Sequence, residues 1–331
     1  MHINKSILYI SARSDIGGGP KHLYDLTSHI KNNDIYIAAP LEEPYGKKFL
    51  KNSKEFFKLP HRKFRLSAFF RLLLFCKKNN INIIHSHGRG AGIYSRLLGP
   101  FGFDIIHTFH GVHHPKSVKE KFILVIERIF SLFTDKFICV SKSERNIALA
   151  LKLSPKRKVT IIPNGIDTEL FNNVTSPGTN QLGTIARLTP HKNVKELIEF
   201  VAKMPEYTLH IAGSGEEEEE LKSLATKNVI FHGEIDNIYK FMSGIDFYVS
   251  SSIGEGLPYT ILEAMASRKK IVASNVAGHK DLLHSDDLYQ IGSLDSFKTK
   301  LSKNIVAYNM KNFTIKTMVD SVGTLYLNSK D

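Results

Sequence analysis

Residues 250–266 read Ser-Ser-Ser-Ile-Gly-Glu-Gly-Leu-Pro-Tyr-Thr-Ile-Leu-Glu-Ala-Met-Ala. The run Phe247–Ser251 predicts a strand, Gly254 and Gly256 a tight loop, and Pro258 the first position of a helix over Pro258–Ser267. A strand passing through a short glycine loop into a helix leaves free backbone N–H groups around Gly256–Tyr259, and such a helix N-terminus suits a diphosphate. Glu255 in the loop and Glu263 about a turn and a half into the helix would flank that anion site. A carboxylate accepts hydrogen bonds from vicinal hydroxyls, which is what a sugar or a ribose offers. For an isolated pair of glutamates, a surface position for Glu263 is the competing reading.

Strands alternate with helices on both sides of this unit. Upstream, Ser6–Ala12, Ile35–Ala39, Ile81–His85, Ile105–Phe109, Lys136–Val140 and Val159–Pro163 read as strands, and Lys21–Ile30, Ala68–Lys78, Gly90–Leu98, Lys119–Leu132 and Lys142–Leu151 as helices. From Gln181 the alternation restarts, with strands at Gln181–Ala186, Thr208–Ala212, Val229–His232 and Lys270–Ser274 and helices at Val194–Met204, Glu216–Ala225 and Ile238–Ser243. The spacing predicts parallel sheets covered on both faces. An N-terminal domain is expected over 1–171, a polar linker over 172–180, a C-terminal domain over 181–309, and a last helix over 310–331 packing back on the first domain. A length of 331 residues, about twice the usual domain, fits two domains. The acidic tract Glu216–Glu220 reads as a helix start that complements the helix dipole.

Composition narrows the class. With 42% hydrophobic and 23% charged residues the chain can bury two cores. Cys76 and Cys139, far apart in apolar surroundings, form neither a disulfide framework nor a cysteine zinc site and fit a reducing cytoplasm. Residues 1–14 lack signal-peptide architecture, and the apolar stretches 66–76 and 122–133 are too short to span a bilayer. The net charge of +13 is uneven: residues 1–175 hold 28 Lys/Arg against 13 Asp/Glu, residues 176–331 hold 17 against 19. A basic first half faces nucleic acid, anionic lipid or a phosphorylated substrate.

The segment 250–266 resembles the Glu-x7-Glu signature of the family-4 retaining glycosyltransferases, with its Glu-Gly-Leu-Pro opening and Leu-Glu-Ala-Met-Ala close. The resemblance implies an α/β protein of two facing Rossmann-like domains (GT-B) with an interdomain cleft. It gives Glu255 a contact to the donor sugar, places Gly256, Leu257 and Pro258 at the donor phosphates, and gives Glu263 the ribose. Residues 183–193, Gly-Thr-Ile-Ala-Arg-Leu-Thr-Pro-His-Lys-Asn, resemble the strand and loop whose Arg187 and Lys192 grip the donor diphosphate. Two fixed cations there would stabilise the charge that builds on the leaving group. Taken alone, such a pair in a loop reads as solvated. The turn Ile211–Glu216 with Gly213 and Gly215, and the strand end Phe231-His232-Gly233, resemble the nucleotide end of the same site; neither motif is specific.

In the first half, Gly17-Gly18-Gly19-Pro20-Lys21-His22-Leu23 is not a dinucleotide fingerprint. It resembles the family's first-domain glycine loop, giving Gly18 and Gly19 a close approach to the donor. Residues 84–92, with His85, His87 and Arg89, and residues 107–114, with His107, His110, His113 and His114, lie at strand ends where open α/β sheets bind ligands. His110 matches the family's active-site histidine. A zinc site on these loops is disfavoured because the spacing His107, His110, His113 has no partner ligands in a known arrangement, and no Asp-x-Asp occurs in the chain. The expectation is therefore metal-independent transfer without a cofactor. After Ala-Met-Ala the family has Gly and Pro where this sequence has Arg268 and Lys270, so the helix is expected to end differently.

Lys47–Lys78 holds eleven Lys/Arg and one acidic residue, Glu55, among Phe49, Phe56, Phe57, Phe64, Phe69, Phe70 and Phe75. It reads as an interfacial segment for anionic lipid, with Arg62, Lys63, Arg65, His87 and Arg89 facing the acceptor or the membrane. Core phenylalanines among solvated lysines are the competing reading. The function implied is transfer of a sugar from a nucleotide diphosphate donor, UDP-linked, to a lipid-linked or growing polysaccharide acceptor at the inner membrane surface, with no nucleic-acid partner. The rivals are a non-hydrolysing UDP-sugar epimerase of the same fold and a basic nucleic-acid-binding protein.

Overall fold

The structure, a computed structural model, describes residues 5–31, 34–115 and 117–329. It divides into two compact units, residues 1–165 with 312–331, and residues 166–311. The ends of the first domain and of the C-terminal helix region, at 1–4 and 330–331, lie outside the described residues.

The first unit runs β1 (Ser6–Ser11), α1 (Gly18–His29), β2 (Asp34–Ala39), α2 (Gly46–Asn52), β3 (Glu55–Lys58), α3 (Leu66–Lys78), β4 (Ile83–His87), α4 (Gly88–Leu98), β5 (Asp104–Thr108), α5 (Val118–Phe130), β6 (Lys136–Cys139), α6 (Lys142–Ala150) and β7 (Val159–Ile161). Its parallel sheet has the order β3-β2-β1-β4-β5-β6-β7. Successive strand residues serve opposite faces. Leu8, Ile10, Ile84 and Ile105 pack with α3 and α4, while Ile7, Tyr9, Ile83 and Ile106 form the core on the α1 side. The chain reverses direction across the sheet between β1 and β4, and a crevice at such a switch point is where open α/β sheets bind ligands.

The second unit contains β8 (Gln181–Ile185), α7 (Val194–Val201), β9 (Thr208–Ala212), α8 (Glu218–Leu224), β10 (Val229–Gly233), α9 (Ile238–Ser243), β11 (Phe247–Ser250), α10 (Tyr259–Ala266), β12 (Lys270–Ser274), α11 (Ala277–Lys280), β13 (Leu288–Tyr289) and α12 (Leu294–Leu301). Its parallel order, β10-β9-β8-β11-β12-β13, switches between β8 and β11. The stretch 172–180, expected as a linker, is fastened to this unit. The Asp246 carboxylate accepts from the backbone N–H groups of Gly178, Thr179 and Gln181. The buried Lys269 ammonium donates to the Thr175 carbonyl, to Ser176 Oγ at 2.7 Å and to the Ile245 carbonyl at 2.8 Å. Finally α13 (Ile315–Leu327) joins the first unit, where Met318, Val322 and Tyr326 enter the α1-side core.

Two local expectations are corrected. Pro258 is the N-cap of α10 rather than its first helical residue. The end of α10 keeps the left-handed cap despite the missing glycine, because Arg268 itself adopts φ 54°. Lys269 N–H reaches the Ala264 carbonyl and Arg268 N–H the Met265 carbonyl, which together make a Schellman end. A side chain in that conformation costs about 1–2 kcal/mol, only partly offset by the greater unfolded-state freedom of glycine. Arg268→Gly should therefore stabilise the protein by about 0.5–1 kcal/mol, read as a higher urea midpoint; a lower midpoint would show that the Arg268 side chain contributes more than its backbone costs.

Candidate functional site

In the second unit the residues singled out by sequence gather at the β8/β11 switch. The loop after β8 is bound to the loop after β11: His191 Nε2 lies 2.5 Å from the Gly254 carbonyl, Ile253 N–H donates to the His191 carbonyl, and Ser251 Oγ donates to the Asn193 carbonyl at 2.7 Å. This lacing brings the Lys192 ammonium onto the Glu255 carboxylate in a short ion pair. Burial alone would raise the Glu255 carboxyl, but Lys192, with Ser252 and His279, holds it below its ordinary value. The pair stands just before the N-terminus of α10, where the backbone dipole favours an anion.

Glu263, on the same helix, is buried, which removes the surface-residue reading. Tyr248, buried beneath, donates to the Ile185 carbonyl at 3.4 Å, and its hydroxyl feels both glutamates. Arg187 lies exposed where β8 ends. Gly213 and Gly215 act on this loop rather than through open space. At Gly213, with φ +127°, a Cβ would stand 1.9 Å from the Ala186 carbonyl oxygen, and at Gly215 one would stand 2.2 Å from that of Leu188. Only glycine lets the Gly-Ser-Gly turn press against the backbone on either side of Arg187. The His232 side chain does not join this group, because His210 takes its Nε2 at 2.9 Å and the two rings stack in line with Gln181.

In the first unit, imidazoles converge from α1 and the ends of β4 and β5. His22, His87 and His110 each offer one ring nitrogen, all within 4.8 Å of one another, the one such histidine-rich group among the described residues. His87 Nδ1 lies 3.2 Å from His110 Nε2; His22 Nδ1 lies 3.0 Å from Asn164 Oδ1; the Nε2 atoms of His22 and His87 have no hydrogen-bond partner. Beside them, His85 bridges Tyr326 Oη at 2.5 Å and Thr108 Oγ1 at 2.7 Å. Burial drives His22 down to about 4, and holds His85, His87, His107 and His110 well below the ordinary imidazole value. The cluster is thus neutral at pH 7. The loop spacing His107, His110, His113 could not reveal it, since His22 comes from the glycine-loop helix and His87 from another strand.

Gly18 opens α1, and the Gly19 backbone faces the His110 ring, where a Cβ would lie 3.5 Å from Cδ2. Glu144, which sequence reading missed, fixes the His110 loop: its buried carboxylate accepts from Gly111 N–H and Val140 N–H, both at 2.7 Å. A cavity of about 310 Å³ opens beside His110, lined by Arg89, Phe109, Val112, Leu124, Glu127 and Leu151 among others. One expectation for an outward acceptor or membrane face is corrected here: His87 is buried among the imidazoles. Arg62 stays exposed and pairs at 2.6 Å with Asp15, a carboxylate that also takes the Arg13 guanidinium. Burial opposes the charge on Asp15, but the two guanidiniums hold it down to about 2. Lys63, Arg65 and Arg89 remain exposed.

Two parallel α/β units with anion-ready loops at their switch points define the two-domain GT-B architecture. The same fold is seen in Anabaena Alr3699/HepE, solved in complex with UDP and glucose, at a TM-score of 0.82 and 16% identity over 98% of this chain and 100% of that one. Sequence profiles named Glycosyltransferase Family 4 and Glycosyl transferases group 1 match residues 16–170 and 166–305. The chain belongs to the family-4 glycosyltransferases and is a transferase enzyme. It is 29% identical to the O-antigen biosynthesis glycosyltransferase WbnH of Escherichia coli, over 90% of each chain. It is also 26% identical to the UDP-Gal:alpha-D-GlcNAc-diphosphoundecaprenol alpha-1,3-galactosyltransferase of Escherichia coli, over 80% of this chain and 79% of that protein.

Proposed function

We propose that this glycosyltransferase moves a sugar, with retention at its anomeric carbon, from a UDP-linked donor to a lipid-linked or growing surface polysaccharide at the inner face of the membrane, without a divalent metal. The observation that carries the reading is the Lys192–Glu255 pair at the N-terminus of α10, with Glu263 buried on the same helix. In this reading the bond between the sugar and the UDP β-phosphate oxygen breaks, and its electron pair leaves with UDP. The acceptor oxygen bonds to the same face of that carbon, and its proton passes to the departing phosphate. Lys192, Arg187 and the α10 N-terminus stabilise the leaving charge. Glu255 holds the sugar hydroxyls, Glu263 the ribose, and backbone groups of Gly256, Leu257, Pro258 and the His232 strand end the rest of the nucleotide. In the first unit, the cavity next to His110 and Arg89 receives the acceptor. Support comes from relatives: HepE was solved with UDP and glucose, and the galactosyltransferase named above uses UDP-Gal and a diphosphoundecaprenol-linked sugar.

Thermal stabilisation by UDP-, GDP- and ADP-sugars tests the donor, because a ligand of the folded state raises the melting temperature by mass action. UDP-sugars should stabilise most. Arg187→Ala and Glu263→Ala should each weaken that binding about tenfold, the usual worth of a charge-assisted hydrogen bond. Unchanged nucleotide affinity in both variants would overturn the assignment. Conversion of the donor with no acceptor present would favour the epimerase instead.

A further inference from the structure

The helix layer α3–α4–α5 carries an outward surface that the fold leaves uncovered. Along α5 and the turn after it stand Val118, Phe122, Val125, Ile129 and Leu132, at steps of four and three residues that hold them in one narrow stripe. Val118 is 83% exposed, Phe122 67% and Leu132 74%. The core side of α5 is supplied by other residues: Leu124 packs against the Phe137 cluster, and Glu127 makes a buried 2.5 Å ion pair with Arg96 of α4. On the far side of α4, helix α3 turns Leu66, Phe70 and Leu74 outward, again one above another. Between them the end of α4 presents Phe101, whose ring lies 6.3 Å from that of Phe69. The three helices cover one face of the sheet.

Charge on this face is predominantly positive. No acidic residue occurs from Leu59 to Lys78, where Lys63, Arg65, Arg71 and Lys77 are exposed, while Arg62 and Lys78 pair with Asp15 and Glu55. On α5, Lys119 and Lys121 are exposed, Arg128 turns its guanidinium back to the Leu151 carbonyl at 2.9 Å, Glu127 is buried, and the exposed Glu120 exchanges hydrogen bonds with Ser117 at the helix N-cap. A second copy of the chain would bring like charges together here; a bilayer of anionic phospholipid offers apolar depth and negative headgroups at once.

We infer that the outward faces of α3 and α5 dock the protein on an anionic bilayer surface, with the apolar rows at the acyl boundary and the basic side chains at the headgroup phosphates. This rests on, and deepens, the reading of a membrane-borne acceptor. It redraws the interfacial segment first expected at Lys47–Lys78, in which Phe49, Phe69 and Phe75 are core and Phe56 and Phe57 are half-buried. Among the described residues no helix is long and apolar enough to cross a membrane. Because the inner side of α5 lines the cavity at His110, docking sets that cavity at the lipid surface.

Sedimentation of the full chain with vesicles of phosphatidylcholine, alone or mixed equally with phosphatidylglycerol, tests the assignment. The protein should pellet with the mixed vesicles at least about tenfold more strongly, and release as salt shortens the screening length. Phe122→Glu with Ile129→Glu, and Phe70→Glu with Leu74→Glu, should each reduce pelleting by about tenfold or more, since a charge replaces a buried apolar side chain. Thermal stabilisation by UDP should be unaltered in both, which shows them folded. Failure of the unmodified protein to pellet, equal pelleting of the variants, or a lipid-independent dimer dissolved by the α5 substitutions would overturn the proposal. Vesicle binding without any response to UDP would leave docking intact and remove the donor reading.

Discussion

Lowering the pH from 7 to 5 should cost the folded protein about 2 kcal/mol through His22 alone, and more through its neighbours. Burial holds the His22 imidazole at about 4 in the folded state, against about 6.5 when unfolded. Above pH 6.5 neither state binds the proton and stability is complete. Below it the unfolded chain takes up a proton that the folded one refuses, so stability falls progressively until the pH reaches about 4. His85, His87, His107 and His110 are shifted in the same direction and act in the same sense. Asp25, whose carboxyl burial raises, works in the opposite sense. Asp15 loses its contribution only in stronger acid, from the ordinary carboxylate value down towards 2. Urea midpoints by far-UV circular dichroism at pH 7, 6 and 5 should drop steadily, and His22→Phe should show a shallower drop. A flat profile, or an unaltered slope in the variant, would mean that the imidazoles are hydrated and not desolvated.

That cluster marks the limit of what periodicity and motifs reveal. The alternation of apolar runs is a local signal, and it placed eleven of the thirteen strands among the described residues, most of them buried runs bounded by turn residues. It passed over β3, whose Glu-Phe-Phe-Lys is half-buried at the sheet edge, and over α2, α11, β13 and α12, where no long apolar period exists. The Glu255, Glu263, Arg187 and Lys192 positions were legible because the motif spans contiguous loops, so sequence spacing carries their geometry. His22 with His87 and His110, or Glu144 under the His110 loop, are joined only by the crossover topology, over separations no local pattern encodes. Phenylalanine content misled for a related reason. Phe69 and Phe70 are neighbours in sequence, yet a helix turns one into the core and the other outward.

Lys192→Ala is expected to slow transfer by about 10²–10³-fold, the usual consequence of deleting one preorganised group at a developing negative charge. The ammonium has two tasks in this geometry. It offsets charge on the departing phosphate, and it keeps Glu255 ionised despite burial. Without it, desolvation would push the Glu255 carboxyl upward, so the variant should also shift the acid limb of its pH–rate profile to higher pH. A neutral substitution of Arg187, which lies exposed after β8, should leave that limb in place. Because the proposed stabilisers are fixed cations and a helix N-terminus, activity should survive excess EDTA, and neither Mg²⁺ nor Mn²⁺ should restore the Lys192 variant. If EDTA abolishes transfer and Mn²⁺ restores it, leaving-group stabilisation belongs to a metal, and His22, His87 and His110 would be the ligands to substitute next.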